Sequence, residues 1–206
     1  MTDTIVMVFI RNPELGHVKT RLAKTIGDQS ALKIYKFLLQ HTQNELFDLN
    51  CDKAVYYSEN INKNDIWDNA HYQKYIQLGS DLGDRMLHAF KNSFESGYKK
   101  VLIIGSDLFD LKSEYIKNAI AHLDHYDIVL GPAKDGGYYL LGMTVLNDRI
   151  FSNKAWGTEA VFESTMNDLK NESVFLLPEL NDIDIYDDIK EHKILTELIK
   201  HHDQDH

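Results

Sequence analysis

Short apolar runs rich in β-branched and aromatic residues alternate along this chain with stretches of helical periodicity. The first run, "IVMVFI" (5–10), is apolar on both faces, which is typical of a strand buried inside a parallel sheet. Such alternation predicts an α/β fold with a mainly parallel sheet flanked by helices. Strands are predicted over 5–10, 53–58, 75–79, 99–107, 127–132, 138–143 and 174–178, and helices over 29–47, 82–96, 113–123, 158–170 and 186–201.

The bulk properties of the chain exclude several classes of protein. Its 206 residues show no repeat or composition break, so we expect one domain over 1–200 and a disordered tail over 201–206. A net charge of −10 argues against a nucleic-acid binder, and Cys51, the only cysteine, can form neither an internal disulfide nor a cysteine-based zinc site. Because we find no signal-peptide pattern and no apolar run long enough to span a bilayer, we expect a cytoplasmic protein.

Five unusual loops follow the predicted strands. In open parallel sheets, ligands bind outside the carboxyl ends of the strands, so these loops are the first place to look for a site. The loops are the basic stretch after the first strand, "GSDLGDR" (79–85), "GSDLFD" (105–110), "GPAKDGGYY" (131–139) and "NDIDIYDD" (181–188).

The loop after the first strand is basic. It carries Arg11 and, after Gly16, the run Lys19, Thr20 and Arg21. Arginine offers a planar donor fork and lysine a point charge for phosphate oxygens, and glycine lets a ligand approach the backbone. The spacing is neither that of a Walker A motif nor that of G-x-G-x-x-G. A solvated basic loop is the alternative, but the position after the first strand favours diphosphate binding.

Acidic residues lie in the loops that follow two of the other predicted strands. Asp107 follows "VLIIGS", and Asp182 and Asp184 lie in the last loop. Carboxylates are the ligands that Mg²⁺ and Mn²⁺ prefer, and such an ion would offset charge on a departing diphosphate. We therefore interpret Asp107 as a metal ligand, with one aspartate of the last loop completing the site. Capping of the following turn is the alternative for Asp107, and a carboxylate at the N-terminus of a helix is the alternative for the aspartates of the last loop.

The most distinctive stretch is "GPAKDGGYYLLG" (131–142). Gly136 and Gly137 permit close approach, and Asp135 could hold a substrate hydroxyl or act as a general base. A glycine turn with Asp135 as a turn former is the alternative. Trp156 suits stacking on a sugar or base, although packing in the core explains it equally well.

With these segments the chain resembles the small bacterial GT-A-fold proteins labelled arsenosugar-biosynthesis-type glycosyltransferases, which are relatives of the phospholactate guanylyltransferases. The resemblance covers residues 5 to about 195 and rests on several motifs in order. The motifs are "PELGHVKTRL" (13–22), "GSDLGDRM" (79–86), "IGSDLFDL" (104–111), "GPAKDGGYYLLG" (131–142), "WGT" (156–158) and "DIDIYDD" (182–188).

The resemblance implies a Rossmann-like nucleotide-diphospho-sugar transferase fold and a set of roles. It places nucleotide binding on the Gly16–Arg21 and Asp81–Arg85 loops, and divalent metal on Asp107 and, by looser similarity, on Asp184. Together with the chemistry of the loops, this gives the expected site: Arg11, Gly16, Lys19, Thr20, Arg21, Asp81, Gly83 and Arg85 for the nucleotide, Asp107 and Asp184 for Mg²⁺ or Mn²⁺, Gly136, Gly137 and Trp156 on the acceptor side, and Asp135, Lys19 and Arg21 in catalysis.

The implied activity is that of a metal-dependent glycosyltransferase with a nucleotide-diphosphate sugar donor and a small-molecule acceptor. The alternative is a nucleotidyltransferase, which would take a nucleoside triphosphate and a phosphorylated metabolite and release pyrophosphate. A non-catalytic nucleotide-binding module is a third hypothesis. Three departures from the family pattern, Phe109 for proline, Gly157 for serine and "IYDD" for T-P-E-D, could reshape the acceptor side.

Overall fold

The computed structural model describes residues 2–200, and the expected tail over 201–206 lies outside them. Its centre is a seven-stranded sheet in the order β3-β2-β1-β4-β6-β5-β7. Neighbouring strands pair in parallel except β6, which is antiparallel to both β4 and β5, so every strand but β6 ends at one edge of the sheet. The strands are β1 (Thr4–Ile10), β2 (Asp52–Tyr57), β3 (Gln73–Ile76), β4 (Lys100–Ile104), β5 (Ile128–Pro132), β6 (Tyr138–Met143) and β7 (Val174–Leu176).

Helices cover both faces of this sheet. Together with the sheet they confirm the predicted mixed α/β architecture, and each predicted strand is present with shifted ends. The helices are α1 (Thr20–Ile26), α2 (Asp28–Phe47), α3 (Leu82–Glu95), α4 (Ser113–His122), a 3₁₀ turn (Asp148–Phe151), α5 (Val161–Asp168), α6 (Tyr186–Ile189) and α7 (Lys193–Lys200).

Strand β1 shows why its sequence is apolar throughout. Val6, Val8 and Ile10 face the core formed with α2 and α4, whereas Ile5 and Met7 face the core formed with α3, the 3₁₀ turn and α5. Alternate residues of a strand point to opposite faces, so a strand covered on both sides needs apolar residues at every position.

A third, smaller core attaches helices to the edge where the strands end. Leu22 of α1 and Ile183 of the last loop are buried in it together with Ile189 and Leu195. The sequence predicted one helix over 186–201, and this is wrong. Residues six apart point about 120° away from each other on a continuous helix, so the chain must break between α6 and α7 to bury both Ile189 and Leu195.

Phe109, which replaces the proline of the family pattern, belongs to this third core. Its ring lies 6.1 Å from that of Phe37, 5.7 Å from that of His41 and 4.9 Å from that of His192, measured between centroids. The departure therefore packs the loop after β4 against α2 and the segment before α7. Among residues 2–200, no helix is both long and apolar enough to cross a membrane.

Candidate functional site

A cleft of about 800 Å³ opens at the edge where the parallel strands end. That volume lies in the range of small-molecule sites, which is about 300–1,000 Å³. Eight of the residues singled out in the sequence line it, namely Arg11, Lys19, Thr20, Arg21, Asp81, Arg85, Asp107 and Asp184. Seven do not, namely Gly16, Gly83, Asp135, Gly136, Gly137, Trp156 and Asp182.

Lys19 forms the most enclosed ion pair of the cleft. Its Nζ lies 2.7 Å from Oδ2 of Asp107, and only 7% of the lysine side chain is exposed. Lys19 also precedes the first residue of α1 in a left-handed backbone conformation (φ 48°, ψ 42°) that residues other than glycine rarely adopt. This turn directs the side chain inward across the sheet edge, so the loop after β1 and the loop after β4 are held together.

Arg21, two residues further along the chain, makes the second ion pair. Its Nη1 lies 2.5 Å from Oδ2 of Asp184, with the guanidinium largely exposed. The last loop is also tied to the β4 loop through its backbone, because the Ile183 N–H donates to the carbonyl oxygen of Asp107 at 3.0 Å. The two cations predicted to bind phosphate therefore contact the two carboxylates predicted to bind metal.

Asp182 is the residue of this region that sequence reasoning undervalued. Its Oδ1 is buried without a hydrogen-bond partner among the described residues. Burial, together with the nearby charges of Asp107 and Asp135, raises the pKa of Asp182 to about 8. Desolvation disfavours the carboxylate and so do like charges, which explains the direction.

The carboxylates of Asp107, Asp182 and Asp184 fit a divalent cation by their chemistry. Mg²⁺ and Mn²⁺ prefer carboxylate oxygens, and the orphaned Oδ1 of Asp182 is an acceptor that a cation would satisfy. They are not arranged as a finished site, since no group of three or more His, Cys, Asp or Glu within residues 2–200 surrounds a common metal position. Oδ2 of Asp107 is instead occupied by Lys19.

Tyr35 of α2 supports the floor of the cleft. Its hydroxyl accepts from the Arg11 N–H at 2.9 Å, donates to the Arg11 carbonyl oxygen at 3.1 Å, and lies 3.5 Å from the Ser106 hydroxyl. Burial raises the pKa of Tyr35 to about 12. The phenol therefore stays neutral and fixes the loop after β1. No local sequence pattern indicates this role, because the contact spans 24 residues.

The end of the cleft away from Asp107 is built by two amides. Asn12 Oδ1 accepts from the Ser58 hydroxyl and the Glu59 N–H, which ties the loop after β1 to the loop after β2. Gln77 Nε2 donates to two carbonyl oxygens, those of Ile10 and Tyr56, each at 2.9 Å. Because both neighbours of this nitrogen are acceptors, the orientation of the Gln77 amide is fixed. Neither residue stood out in the sequence.

The Asp81–Arg85 loop divides between the cleft and the core. Asp81 caps α3 by accepting from the Asp84 N–H at 2.8 Å, and Arg85 lines the cleft. Gly83 was expected to contact a nucleotide, but a Cβ on it would meet the Trp156 indole at 2.6 Å. A glycine at position 83 is therefore explained by close packing against this indole. Gly16, in left-handed backbone (φ 76°), forms an exposed turn beside Asp28.

The glycine turn after β5 satisfies its own polar groups. Asp135 Oδ1 accepts from the Gly137 N–H at 2.8 Å, which is the arrangement of an Asx turn. Gly136 has φ 84°, and a Cβ there would meet the Glu159 backbone at 2.4 Å, so the turn is packed against the start of α5. The Phe162 N–H donates to the Gly136 carbonyl oxygen at 2.8 Å. The turn-former alternative therefore accounts for this stretch.

Trp156 is partly buried at the border of the core that the sheet forms with α3, the 3₁₀ turn and α5. Its indole contacts Tyr138 edge to face, with ring centroids 6.5 Å apart. Trp156 Nε1 and the Tyr138 hydroxyl are both buried without a hydrogen-bond partner among the described residues, and burial raises the pKa of Tyr138. The core-packing alternative for Trp156 is the one that the structure supports.

Comparison with solved structures finds a relative over nearly the whole chain. A protein of Desulfovibrio desulfuricans G20, named as a proposed nucleotide-diphospho-sugar transferase, superimposes with a TM-score of 0.86 at 30% identity, covering 98% of this chain and 96% of its own. No curated protein matches.

Two more distant structures share the fold. The inositol-1-phosphate CTP transferase of T. maritima matches with a TM-score of 0.55 at 14% identity, covering 95% of this chain and 94% of its own. A cytidylyltransferase of Leptospira borgpetersenii matches with a TM-score of 0.58 at 15% identity, covering 98% of this chain and 96% of its own. At such identities the likeness concerns the fold alone.

A family model described as "Uncharacterized protein conserved in bacteria (DUF2064)" matches residues 42–158, which include the last helical turn of α2, the loops after β3 and β4, and the glycine turn. Since this match spans more than half of the chain, the protein belongs to the DUF2064 family.

Proposed function

We propose that the protein is a metal-dependent transferase that uses a nucleotide-diphosphate sugar and passes the sugar to a small-molecule acceptor. One observation carries the proposal: the cations predicted to bind phosphate and the carboxylates predicted to bind metal line the same cleft. The name of the relative at 30% identity, a proposed nucleotide-diphospho-sugar transferase, supports the same reading.

In this proposal Lys19 and Arg21 donate to the phosphate oxygens of the donor. They stabilise the negative charge that develops on the diphosphate as it leaves, which is the main electrostatic contribution that a transferase of this kind needs. Mg²⁺ or Mn²⁺ held by Asp107, with Asp182 or Asp184, would offset part of the same charge. The Asp135 side chain accepts a hydrogen bond within its own turn, and its charge contributes to the raised pKa of Asp182. The role of Asp135 as a general base stays a prediction.

Nucleotidyl transfer is the second candidate, and the charge of the cleft is compatible with it. Four cationic residues, Arg11, Lys19, Arg21 and Arg85, line the cleft, and this number suits a triphosphate as well as a diphosphate. The distant fold relatives include cytidylyltransferases. In nucleotidyl transfer, pyrophosphate would be the leaving group. This activity would support the relationship to guanylyltransferases that we expect from the sequence.

A thermal-shift panel separates the two candidates. Nucleoside diphosphates, nucleotide sugars and nucleoside triphosphates are each added with and without Mg²⁺ or Mn²⁺. We expect nucleotide sugars with metal to raise the melting temperature most. A larger shift with triphosphates would favour nucleotidyl transfer, and the absence of a shift with any nucleotide would refute both proposals.

A further inference from the structure

Two cations of the cleft are neutralised by carboxylates of the same cleft. Lys19 and Asp107 lie 88 residues apart in the chain and Arg21 and Asp184 lie 163 apart, yet Lys19 and Arg21 each contact one of these carboxylates. Neither pair arises from sequence neighbours, so both depend on the fold. The first pair is the more enclosed, since 7% of the Lys19 side chain is exposed, against 66% of the Arg21 side chain.

Lys19 has little freedom to serve two partners. It is held by the left-handed turn before α1, and the Leu22 side chain of that helix is fully buried in the third core. A charge-assisted hydrogen bond of this kind is about twice as strong as a neutral one. A phosphate that approaches Lys19 must therefore compete with Asp107 for the same ammonium group.

The surroundings of this ion pair are acidic. Asp182 feels the charges of Asp107, Asp135 and Asp184, and Lys19 is the cation that offsets them. If a phosphate took Lys19 in the absence of another cation, these carboxylates would be left facing each other and the phosphate. Like charges at short range in a poorly solvated site repel strongly.

We propose that the two ion pairs form a latch that couples the two ligands of the cleft. A polyphosphate takes over Lys19 and Arg21 while a divalent cation takes over Asp107 and its acidic neighbours, so each ligand releases the groups that the other needs. Binding of anion and cation is then mutually strengthened, as linkage requires. The inference rests on the proposed function and adds that the metal-free protein resists the anion through its own carboxylates.

Inorganic pyrophosphate tests the latch by isothermal titration calorimetry, with and without Mg²⁺. The decisive variant is Asp107→Asn, which keeps the size of the side chain and removes its charge. The matched control is Asp110→Asn, three residues along the same loop and exposed to solvent. Because Mg²⁺ also binds pyrophosphate in solution, the control variant gives the reference for that effect.

We expect wild type and Asp110→Asn to bind pyrophosphate weakly without metal and at least about tenfold more tightly with Mg²⁺. Asp107→Asn is expected to bind metal-free pyrophosphate about three- to tenfold more tightly than wild type and to lose the gain from Mg²⁺. Asp184→Asn, at the exposed pair, is expected to shift in the same direction by a smaller factor. It is the second variant if Asp107→Asn does not fold.

Unchanged or weaker metal-free binding by Asp107→Asn, or by Asp184→Asn if only that variant folds, would overturn the latch. If wild type still binds pyrophosphate and nucleotides in that case, the proposed function stands without the coupling. If no variant binds pyrophosphate with or without Mg²⁺, and the nucleotide panel is also negative, both the latch and the proposed function fail.

Discussion

Two regions of this protein stand out in the sequence and differ in the structure. The loop after β1 presents Lys19 and Arg21 to a cleft, where they pair with Asp107 and Asp184 across the sheet edge. The glycine turn after β5 directs Asp135 back onto its own backbone. The first region offers side chains that a ligand can take over, whereas the polar groups of the second are largely used up in holding a turn.

The difference between the two regions shows that an unusual sequence motif can indicate either a binding site or a structural turn. Glycines and an aspartate serve a binding site and a tight turn equally well, because both require backbone that other residues cannot adopt. Long-range ion pairs in a cleft have no comparable role in shaping the local chain. We therefore propose that ligands bind in the cleft and that the turn is structural, and four substitutions test this division.

The largest effect is expected on stability from Gly136→Ala. The substitution forces a Cβ to within 2.4 Å of the Glu159 backbone at a residue with φ 84°. We expect a loss of about 3–4 kcal/mol and a fall in melting temperature of about 10 °C. Gly157→Ala is the control, since it has a similar φ of 79° with no atom within 4 Å, and we expect it to lose about 1 kcal/mol. Equal losses in the two variants would contradict a packing role for the turn.

Lys19→Met tests the cleft. The variant removes the charge that we expect to bind phosphate, so the affinity for a nucleoside diphosphate with Mg²⁺ should fall about 10- to 100-fold. Lys24→Met, in the α1 helix that follows Lys19 but exposed and outside the cleft, should bind like wild type. Calorimetric titration measures both variants, and equal affinities would remove Lys19 from the site.

Asp182→Asn tests the buried carboxylate through pH. The pKa of Asp182 is about 8 in the folded protein and about 4 when the chain is unfolded, so between these pH values the folded state binds a proton that the unfolded state has lost. The stability of metal-free wild type should therefore fall as pH rises through this window.

In Asp182→Asn that decline should be reduced, leaving the variant about 1–2 kcal/mol more stable than wild type at pH 8. Denaturant unfolding at pH 5, 6.5 and 8 measures the difference. Parallel pH profiles for the two proteins would show that Asp182 is not buried as a proton-binding group.

The smallest effect is expected from Asp135→Asn. An asparagine retains the oxygen that accepts from the Gly137 N–H, so stability should stay within about 0.5 kcal/mol and nucleotide affinity should not change. Unfolding and calorimetry measure these two quantities. If turnover with a donor and an acceptor nevertheless fell by a hundredfold or more, Asp135 would act in catalysis, and the turn would have both roles.

Much of the fold was predictable from the sequence, because a strand covered on both faces must be apolar at every position, as β1 is. Helix α1 was missed, since only Leu22 of its seven residues is fully buried and a single apolar position gives no periodicity. The third core was missed for a related reason: it joins Leu22 to Ile183, and local patterns carry no information about such distant partners.

The same limit applies to the site. Position after a strand correctly grouped Arg11, Lys19, Asp107 and Asp184 at one sheet edge, and they line one cleft. Position after a strand could not show that Gly83 has a packing role, because that role depends on contact with the Trp156 indole, 73 residues away in the chain. Nor could it give Gln77 its place, because that side chain acts through backbone carbonyls and has no motif of its own.

Hydrogen–deuterium exchange with a nucleoside diphosphate and Mg²⁺ compares the two regions in one measurement. We predict slower amide exchange over 17–22 and 104–108 when the ligand is added, with little change over 134–138 and 155–159. Slower exchange over 134–138 and 155–159, with none over 17–22 or 104–108, would contradict the assignment of binding to the cleft.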